Sequence, residues 1–505
     1  MNWSLLASSY GAVFGNVQVL LMTFLGALGG VLLGAIPGMT ATMGVALLIP
    51  FSFGMDLIPS IGLLLGIYCG GMYGGSISAI LIHAPGTPSA AATLLDGYPM
   101  CQKGQAGKAL SVAMFASFVG GVIGALIMTF LSPIIADMAM NFGPGEMFML
   151  AVFGLSVIVA ISGKSIAKGL VSAFFGMLLC TVGLDPTNGI PRFITYKQTG
   201  LLEGFQFIPT LIGLFAVTEV FKQTDPKKKR LSAEDGVSGG KVNTKMPSLK
   251  EIWSIKWTMI RCSVVGTVVG ILPGAGATIA SFMCYTMETK LSKHPEKFGT
   301  GIIDGIAASE ASNNAATGGA MVPLLSLGIP GGNAAAVMMS ALTLKGVQLG
   351  PLLLTNQPTY LSATFMSMIV TNILMVIVAM AIAKVFAQIL AIPYSYLGPI
   401  IMMLALIGTY GDQMSATSVQ IMVLAGILGL VVRACHLNSA AIVLGLVLGS
   451  MCEQNFSRGY LMARANVLQM FNPTLHPIAF VLIIVCIVLL VSPVFMSMKK
   501  KKAAS

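Results

Sequence analysis

Gly30-Val31-Leu32-Leu33-Gly34-Ala35-Ile36-Pro37-Gly38-Met39-Thr40-Ala41-Thr42 and Gly266-Thr267-Val268-Val269-Gly270-Ile271-Leu272-Pro273-Gly274-Ala275-Gly276-Ala277-Thr278 are one pattern, G-x-x-x-G-x-x-P-G-x-x-A-T, written twice. Every matched position is offset by the same 236 residues, from 30 to 266 and from 42 to 278. A second pair follows in the same order, Ala84-Pro85-Gly86-Thr87-Pro88-Ser89 and Ile329-Pro330-Gly331-Gly332-Asn333-Ala334, offset by 245 residues (85 to 330). The chain is a duplication, and each half carries two Pro-Gly interruptions inside apolar sequence. Proline removes a backbone donor and disfavours helix at the residue before it, so each interruption predicts two short helical arms meeting at an extended bend. Broken backbone at membrane depth is tolerated only against protein or a water-filled cavity. Paired interrupted helices are the pattern of a secondary transporter.

Composition agrees. Hydrophobic residues make up 56% of the chain and charged residues 9%, against roughly 25% charged in a soluble domain. Membrane-length apolar runs recur, among them Val17 to Ile36, Ala109 to Leu131, Phe365 to Ala387 and Ile478 to Val494. They are continuous rather than alternating, which excludes a transmembrane β-barrel. The expected fold is an all-α integral membrane protein with roughly 10–14 membrane segments, arranged as two homologous, inverted repeats with broken helices or re-entrant hairpins at the Pro-Gly motifs.

The formal charge of +11 would suggest nucleic acid in a soluble protein, but its placement argues for topology. Nine basic residues against four acidic ones lie between Lys222 and Lys256, and four lysines, Lys499 to Lys502, lie near the C-terminus. By the positive-inside rule both segments are cytoplasmic. The division is then a first transmembrane repeat over 1–221, a basic linker over 222–256, a second repeat with additional C-terminal helices over 257–498, and a tail over 499–505. Residues 1–15 carry no Lys or Arg, so they lack the basic region of a cleaved signal peptide, and a periplasmic N-terminus would make the repeats inverted. The eight cysteines are scattered without a C-x-x-C pair and read as small buried hydrophobes.

Candidate binding groups cluster at the breaks. Thr87 is a good helix N-cap and Pro88 suits the first helical position, and Asn333 has the same capping character. The free amides and positive dipole end of such helix starts hold anions without a charged side chain. Thr42 and Thr278 add hydroxyls one turn inside the other arms. Gly30, Gly34, Gly266 and Gly270 taken alone read as helix packing, whereas the Pro-Gly tips read as binding. The expected substrate set is Gly38, Thr40, Ala41, Thr42, Gly86, Thr87, Pro88, Ser89, Gly274, Ala277, Thr278, Gly331, Gly332 and Asn333. On this reading, valine at Gly86 or Gly331 blocks transport while membrane insertion survives.

Ser309-Glu310-Ala311-Ser312-Asn313-Asn314 places polar groups in an apolar, Gly-rich stretch, where they are expensive. Asn313 and Asn314 offer oxygens of the type sodium accepts, and Glu310 is suited to carry a proton or a counter-charge, so Ser309, Glu310, Asn313 and Asn314 form the expected ion-coupling set. His83, in an apolar run, offers a group that could sense or relay protons, but reads first as a hydrogen-bonded core histidine. His294, His436 and His476 show no ligand spacing, and no nucleophile–base pair suggests catalysis. No G-x-x-x-x-G-K-[ST] phosphate loop is present, so energy must come from elsewhere. An ion channel, a stand-alone carrier of another small anion and a membrane-embedded enzyme remain the rival classes.

The duplicated G-x-x-x-G-x-x-P-G-x-x-A-T, the stretch Tyr68-Cys69-Gly70-Gly71-Met72-Tyr73-Gly74-Gly75-Ser76 leading to Pro85-Gly86-Thr87-Pro88-Ser89, and Asn313-Asn314 leading to Gly328-Ile329-Pro330-Gly331 together resemble the large membrane subunit of the tripartite tricarboxylate transporters, the TctA-type permease. The resemblance covers nearly the whole chain. It implies a multi-pass protein of the bacterial inner (cytoplasmic) membrane that takes up di- or tricarboxylates such as citrate. It further implies a small four-helix membrane subunit and a periplasmic solute-binding protein as partners, a sodium or proton gradient as driving force, and no resident cofactor or metal beyond a transported sodium. The second-half break carries Gly332-Asn333 where the first has Thr87-Pro88, so the two arms are not expected to contact substrate identically.

Overall fold

The computed structural model of the chain describes residues 10–36, 39–161, 166–185, 188–194, 199–223, 247–273, 276–382 and 394–502. The Pro37-Gly38 and Gly274-Ala275 tips, residues 224–246 of the basic linker, and residues 1–9 and 503–505 therefore lie outside the described residues. The fold is all-α, and the strands among the described residues are two antiparallel two-residue segments, Gly183–Leu184 and Pro191–Arg192. Five described helices are long and apolar enough to cross a membrane, which makes this a multi-pass membrane protein.

The chain divides into two compact units, and each draws on both sequence halves. One comprises 1–136, 219–271 and 275–408, and the other comprises 137–218, 272–274 and 409–505. The first unit contains α1 (Val17–Ala35), α2 (Ala41–Ser52), α3 (Leu57–Ile82), α4 (Leu94–Gln102) and most of α5 (Ala106–Ala139) from the first half. From the second half it takes α6 (Lys256–Ile271), α7 (Gly276–Leu291), α8 (Ile303–Leu327), α9 (Asn333–Leu344) and α10 (Pro358–Ile382). The second unit includes helices over Pro144–Ile161, Ile166–Cys180, Ala416–Ala434, Ser439–Met462 and Pro477–Lys502. Arg192 there forks onto the Glu453 carboxylate, and His476 Nδ1 lies 2.8 Å from Glu146 Oε1.

Within the first unit the duplication survives in three dimensions. On α1, a Cβ at Gly30 would lie 2.6 Å from the Ile67 carbonyl oxygen of α3, and one at Gly34 would lie 2.4 Å from that of Gly71. On α6, a Cβ at Gly266 would lie 2.6 Å from the Ser312 oxygen of α8, and one at Gly270 would lie 2.6 Å from that of Ala316. Each pair maps onto its counterpart by the two sequence offsets, so the G-x-x-x-G glycines are the seam along which paired helices meet. Helices α3 and α8 end alike as well. His83 (φ 55°) and Gly328 (φ 71°), again 245 residues apart, both terminate their helix in the left-handed conformation. His83 is thereby turned outward, exposed against the Tyr98 ring at 4.4 Å, which corrects its reading as a core histidine. Among the cysteines Cys435 is exposed and Cys180 half-buried, and the other six are buried as expected.

Helices α3 and α8 are buried on every side along nearly their whole length, as an all-round apolar or small-residue helix must be. By contrast α2 and α9 have 12 residues each, or about 18 Å at 1.5 Å per residue, short of the ~30 Å hydrocarbon core. They are half-length arms. Past the linker, Ser248 and Glu251 form a capping box, and the hydrogen bond from Lys108 with those from Ser248 hold the Glu251 carboxyl down to about 2.

Candidate functional site

The arms pack crosswise between the halves. The first-half arm α2 lies on the second-half arm α9, the second-half α7 lies on the first-half 3-10 turn Pro88–Ala91, and α3 meets α8 directly. Lys345, at the end of α9, donates from Nζ to the carbonyls of Met55 (2.6 Å) and Phe53 (3.4 Å) just beyond α2. The two arms therefore run side by side in the same direction, with their starts at the same end. Contacts in which each half supplies the same elements to the other are those of a two-fold.

Each second break is stapled to its own half. The Gly86 amide donates to Gly75 O at 3.0 Å, and the Gly331 amide donates to Ala320 O at 3.3 Å. A Cβ on Gly86 would lie 2.0 Å from Gly34 O, and one on Gly331 would lie 2.6 Å from Gly270 O. These glycines thus bring the second break of each half onto the helix preceding the first. Their Cα atoms face backbone, which corrects the reading of Gly86 and Gly331 as ligand-facing positions where valine would spare membrane insertion, and Gly332 is the open position, with Gly276 Cα at 3.8 Å the nearest atom to an added Cβ.

Two expected helix starts differ. Thr87 precedes only the four-residue 3-10 turn Pro88–Ala91, and α4 starts afresh at Leu94. The Thr87 side chain makes no cap; its hydroxyl lies 3.1 Å from that of Ser89, and both are buried, with Pro88 exposed. The turn ends at Ala91, and two residues on Thr93 commits its hydroxyl to Glu310. In the second half Gly332 takes the N-cap position in extended backbone (φ −170°), which leaves Asn333 as the first helical residue without a capping bond. Thr40 does cap α2, accepting the Met43 N–H at 3.3 Å. Thr42 and Ala41 are buried in the first turn of α2, whereas Ala277 and Thr278 are half-buried in the first turn of α7. Thr278 begins an open groove along α7 that passes Phe282, Met283 and Thr286 to Lys290.

The second cluster surrounds α8. Glu310 is fully buried. Its Oε1 accepts hydroxyls from Ser76 of α3 and Thr93 before α4, and its Oε2 accepts Ser117 of α5 at 2.9 Å. Ser309 lies 2.9 Å from Thr93. Among the described residues no Lys or Arg pairs with this carboxylate. A buried ionised carboxylate without a counter-charge is strongly disfavoured, and a proton or a nearby cation would relieve that cost. The sequence pointed to Glu310 and Ser309 but missed Ser76, Thr93 and Ser117, because their partnership depends on three other elements folding around α8.

Asp96 was also missed. Completely buried on α4, it accepts the Gly301 and Ile302 amides (2.7 and 3.0 Å) and the Tyr285 hydroxyl (2.8 Å). It caps the start of α8 from the opposite half. Asp96→Ala leaves three donors unpaired, each costing about 1–3 kcal/mol. The purified variant should melt well below the parent, and Tyr285→Phe should lose only a fraction of that; an unchanged melting temperature in Asp96→Ala would remove this strap from the account.

The family model for the tripartite tricarboxylate transporter TctA family matches residues 20–444. The chain belongs to the TctA family. This TctA-family chain is also similar, at 37% identity over 95% of its length and 94% of the relative's, to an uncharacterized 52.8 kDa protein in the TAR-I ttuC' 3' region of Agrobacterium vitis. A second relative, an uncharacterized protein in the TAR-II ttuC' 3' region of the same organism, is 36% identical over 45% of this chain and 94% of its own length. No solved structure matches. Membership makes the chain the membrane component of a tripartite tricarboxylate transporter system, a system of several subunits that includes a binding protein. The matched span contains both breaks of both halves, Glu310 and the two asparagines after it.

Proposed function

We propose that this TctA-family chain takes up an organic di- or tricarboxylate across the bacterial inner membrane by secondary active transport driven by a sodium or proton gradient. Substrate is delivered by a periplasmic solute-binding protein, and a small four-helix membrane subunit completes the complex. The observation that carries the proposal is the crosswise seating of α2 on α9 and of α7 on the Pro88–Ala91 turn, which gathers broken helix ends in one unit as transporter sites require. The substrate groups in this reading are the amides at the start of α9 with Gly332 and Asn333, the first turns of α2 and α7 with Thr42 and Thr278, and the Thr87–Ser89 turn. The undescribed tips at Gly38 and Gly274 belong to the same set. Glu310, Ser309, Asn313 and Asn314 serve the coupling ion.

Energetics make coupling necessary. Each negative charge entering against 100 mV costs about 2.3 kcal/mol, so a trianion is opposed by about 7 kcal/mol and needs several co-transported cations. The test is uptake of a carboxylate panel by the chain reconstituted with its membrane and periplasmic partners, under imposed sodium or proton gradients. Saturable uptake that requires the binding protein and one of the gradients is expected. Conductance without saturable exchange would replace the carrier with a channel, and full-rate uptake by this chain alone would remove the receptor.

A further inference from the structure

Four helices, α3, α5, α8 and α10, meet in a register that their contacts fix. Along α8, Glu310 is met by Ser76 of α3 and Ser117 of α5. One turn on, Asn313 reaches Met72 of α3, while Ala311 and Ala315 bear on Gly120 and Gly124 of α5. A further turn on, Thr317 reaches Cys69 of α3, which also touches Met368 of α10. Asn372, one turn along α10 from Met368, lies directly over the Cα of Gly121 on α5. Asn313, Asn314 and Asn372 therefore lie at one level of this bundle, about one helical turn from Glu310.

All three asparagines are completely buried, and all three Oδ1 atoms lack a hydrogen-bond partner. Their amide orientation is not arbitrary. Each Nδ2 donates to a backbone carbonyl: Asn313 to Met72 (3.3 Å), Asn314 to Glu310 (3.4 Å) and Asn372 to Met368 (2.8 Å). Flipping any of them would set oxygen against oxygen. Three buried acceptors without donors are costly and call for an occupant. A single water has two protons and satisfies two of them, whereas a cation satisfies all three. The ligands are neutral oxygens beside one carboxylate, which suits a hard monovalent cation better than a divalent one.

We infer that a sodium ion binds in this layer, held by Asn313, Asn314 and Asn372 with the Glu310 carboxylate as its compensating charge. The inference rests on the ion-driven reading above and deepens it. It adds Asn372 of α10, which lies outside both duplicated motifs, and it selects sodium over potassium because an outward-directed potassium gradient cannot drive uptake. Sodium in the asparagine layer also supplies one of the several cations that a multivalent anion requires.

The experiment is binding of radioactive sodium to the purified full chain, with carboxylate counterflow measured in parallel on the reconstituted transporter. Saturable binding displaced by sodium and not by potassium is expected. Asn314→Leu and Asn372→Leu remove the orphan oxygens at constant volume, so the fold should survive, while half-saturation rises at least tenfold, or 1.4 kcal/mol. No saturable sodium binding in the parent, or unchanged binding in both leucine variants, overturns the site. In the parent, counterflow without any sodium binding sinks this inference alone, whereas sodium binding without any carboxylate movement sinks the transport reading alone.

Discussion

Gly86→Ala is expected to yield no folded protein in the membrane. The added methyl would lie 2.0 Å from the Gly34 carbonyl oxygen and 2.9 Å from the Gly75 Cα, and neither neighbour is a side chain that can swing away. Overpacking commonly costs about 1–3 kcal/mol where the surroundings can yield; here the obstruction is backbone on two helices that are themselves seamed together. Gly331→Ala meets the equivalent obstruction at Ala320 Cα, 2.5 Å away, and should behave the same way. Gly332→Ala is the informative contrast, since its Cβ approaches nothing closer than 3.8 Å and an extended φ suits any residue. That variant should fold normally. With substrate held at the amides opening α9, its KM should rise at least tenfold. Detergent-solubilised yield and monodispersity separate the two classes; a folded Gly86→Ala protein would contradict the packing account, and an unaltered KM in Gly332→Ala would move substrate away from this arm.

Glu310→Gln should abolish the response of uptake to an imposed gradient while leaving counterflow of substrate intact. Glutamine keeps one carbonyl oxygen for the Ser76 and Thr93 hydroxyls and turns an amide toward Ser117, whose oxygen can accept, so the cage around the side chain persists. It cannot take up a proton or compensate a cation. Gradient-driven uptake should fall at least tenfold, with exchange at equal concentrations changed far less. Glu310→Ala is a poorer probe, because it leaves three hydroxyls with no acceptor and confounds coupling with stability. Unchanged gradient dependence in Glu310→Gln would reduce the carboxylate to an anchor for α3, α5 and the turn before α4.

The repeated architecture was legible because both partners of each seam are coded in the same motif order. Gly30 and Gly34 announce a close helix pair, and the second copy confirms the spacing. Which helix they meet was only partly legible: Gly71 stands in a glycine-rich run that reads as a packing face, but Ile67 carries no mark of its role. Asn333 misled because capping propensity belongs to a side chain, whereas the backbone gave the cap to Gly332. Thr87-Pro88 signalled a helical start correctly, but not its end after one 3-10 turn. The polar layer was half visible: Asn313 and Asn314 stand together in the sequence, but Asn372 is brought to their level only by the long-range placement of α10 over α5. Helix α8 is absent from the membrane-length apolar helices because the small and polar residues that build the site dilute its hydropathy.

The crosswise seating of the arms bears on how such a chain could arise. A polypeptide containing one half would have α2 with no α9 to lie on, and a Pro88–Ala91 turn with no α7 against it. Two copies related by a two-fold would supply both missing partners at once, since an isologous interface meets each need twice. The single chain is the covalent form of that homodimer. Its two sides are not identical: Thr87-Pro88 on one stands against Gly332-Asn333 on the other, and the carboxylate at position 310 lies on one side only, where Leu65 is its counterpart on the other.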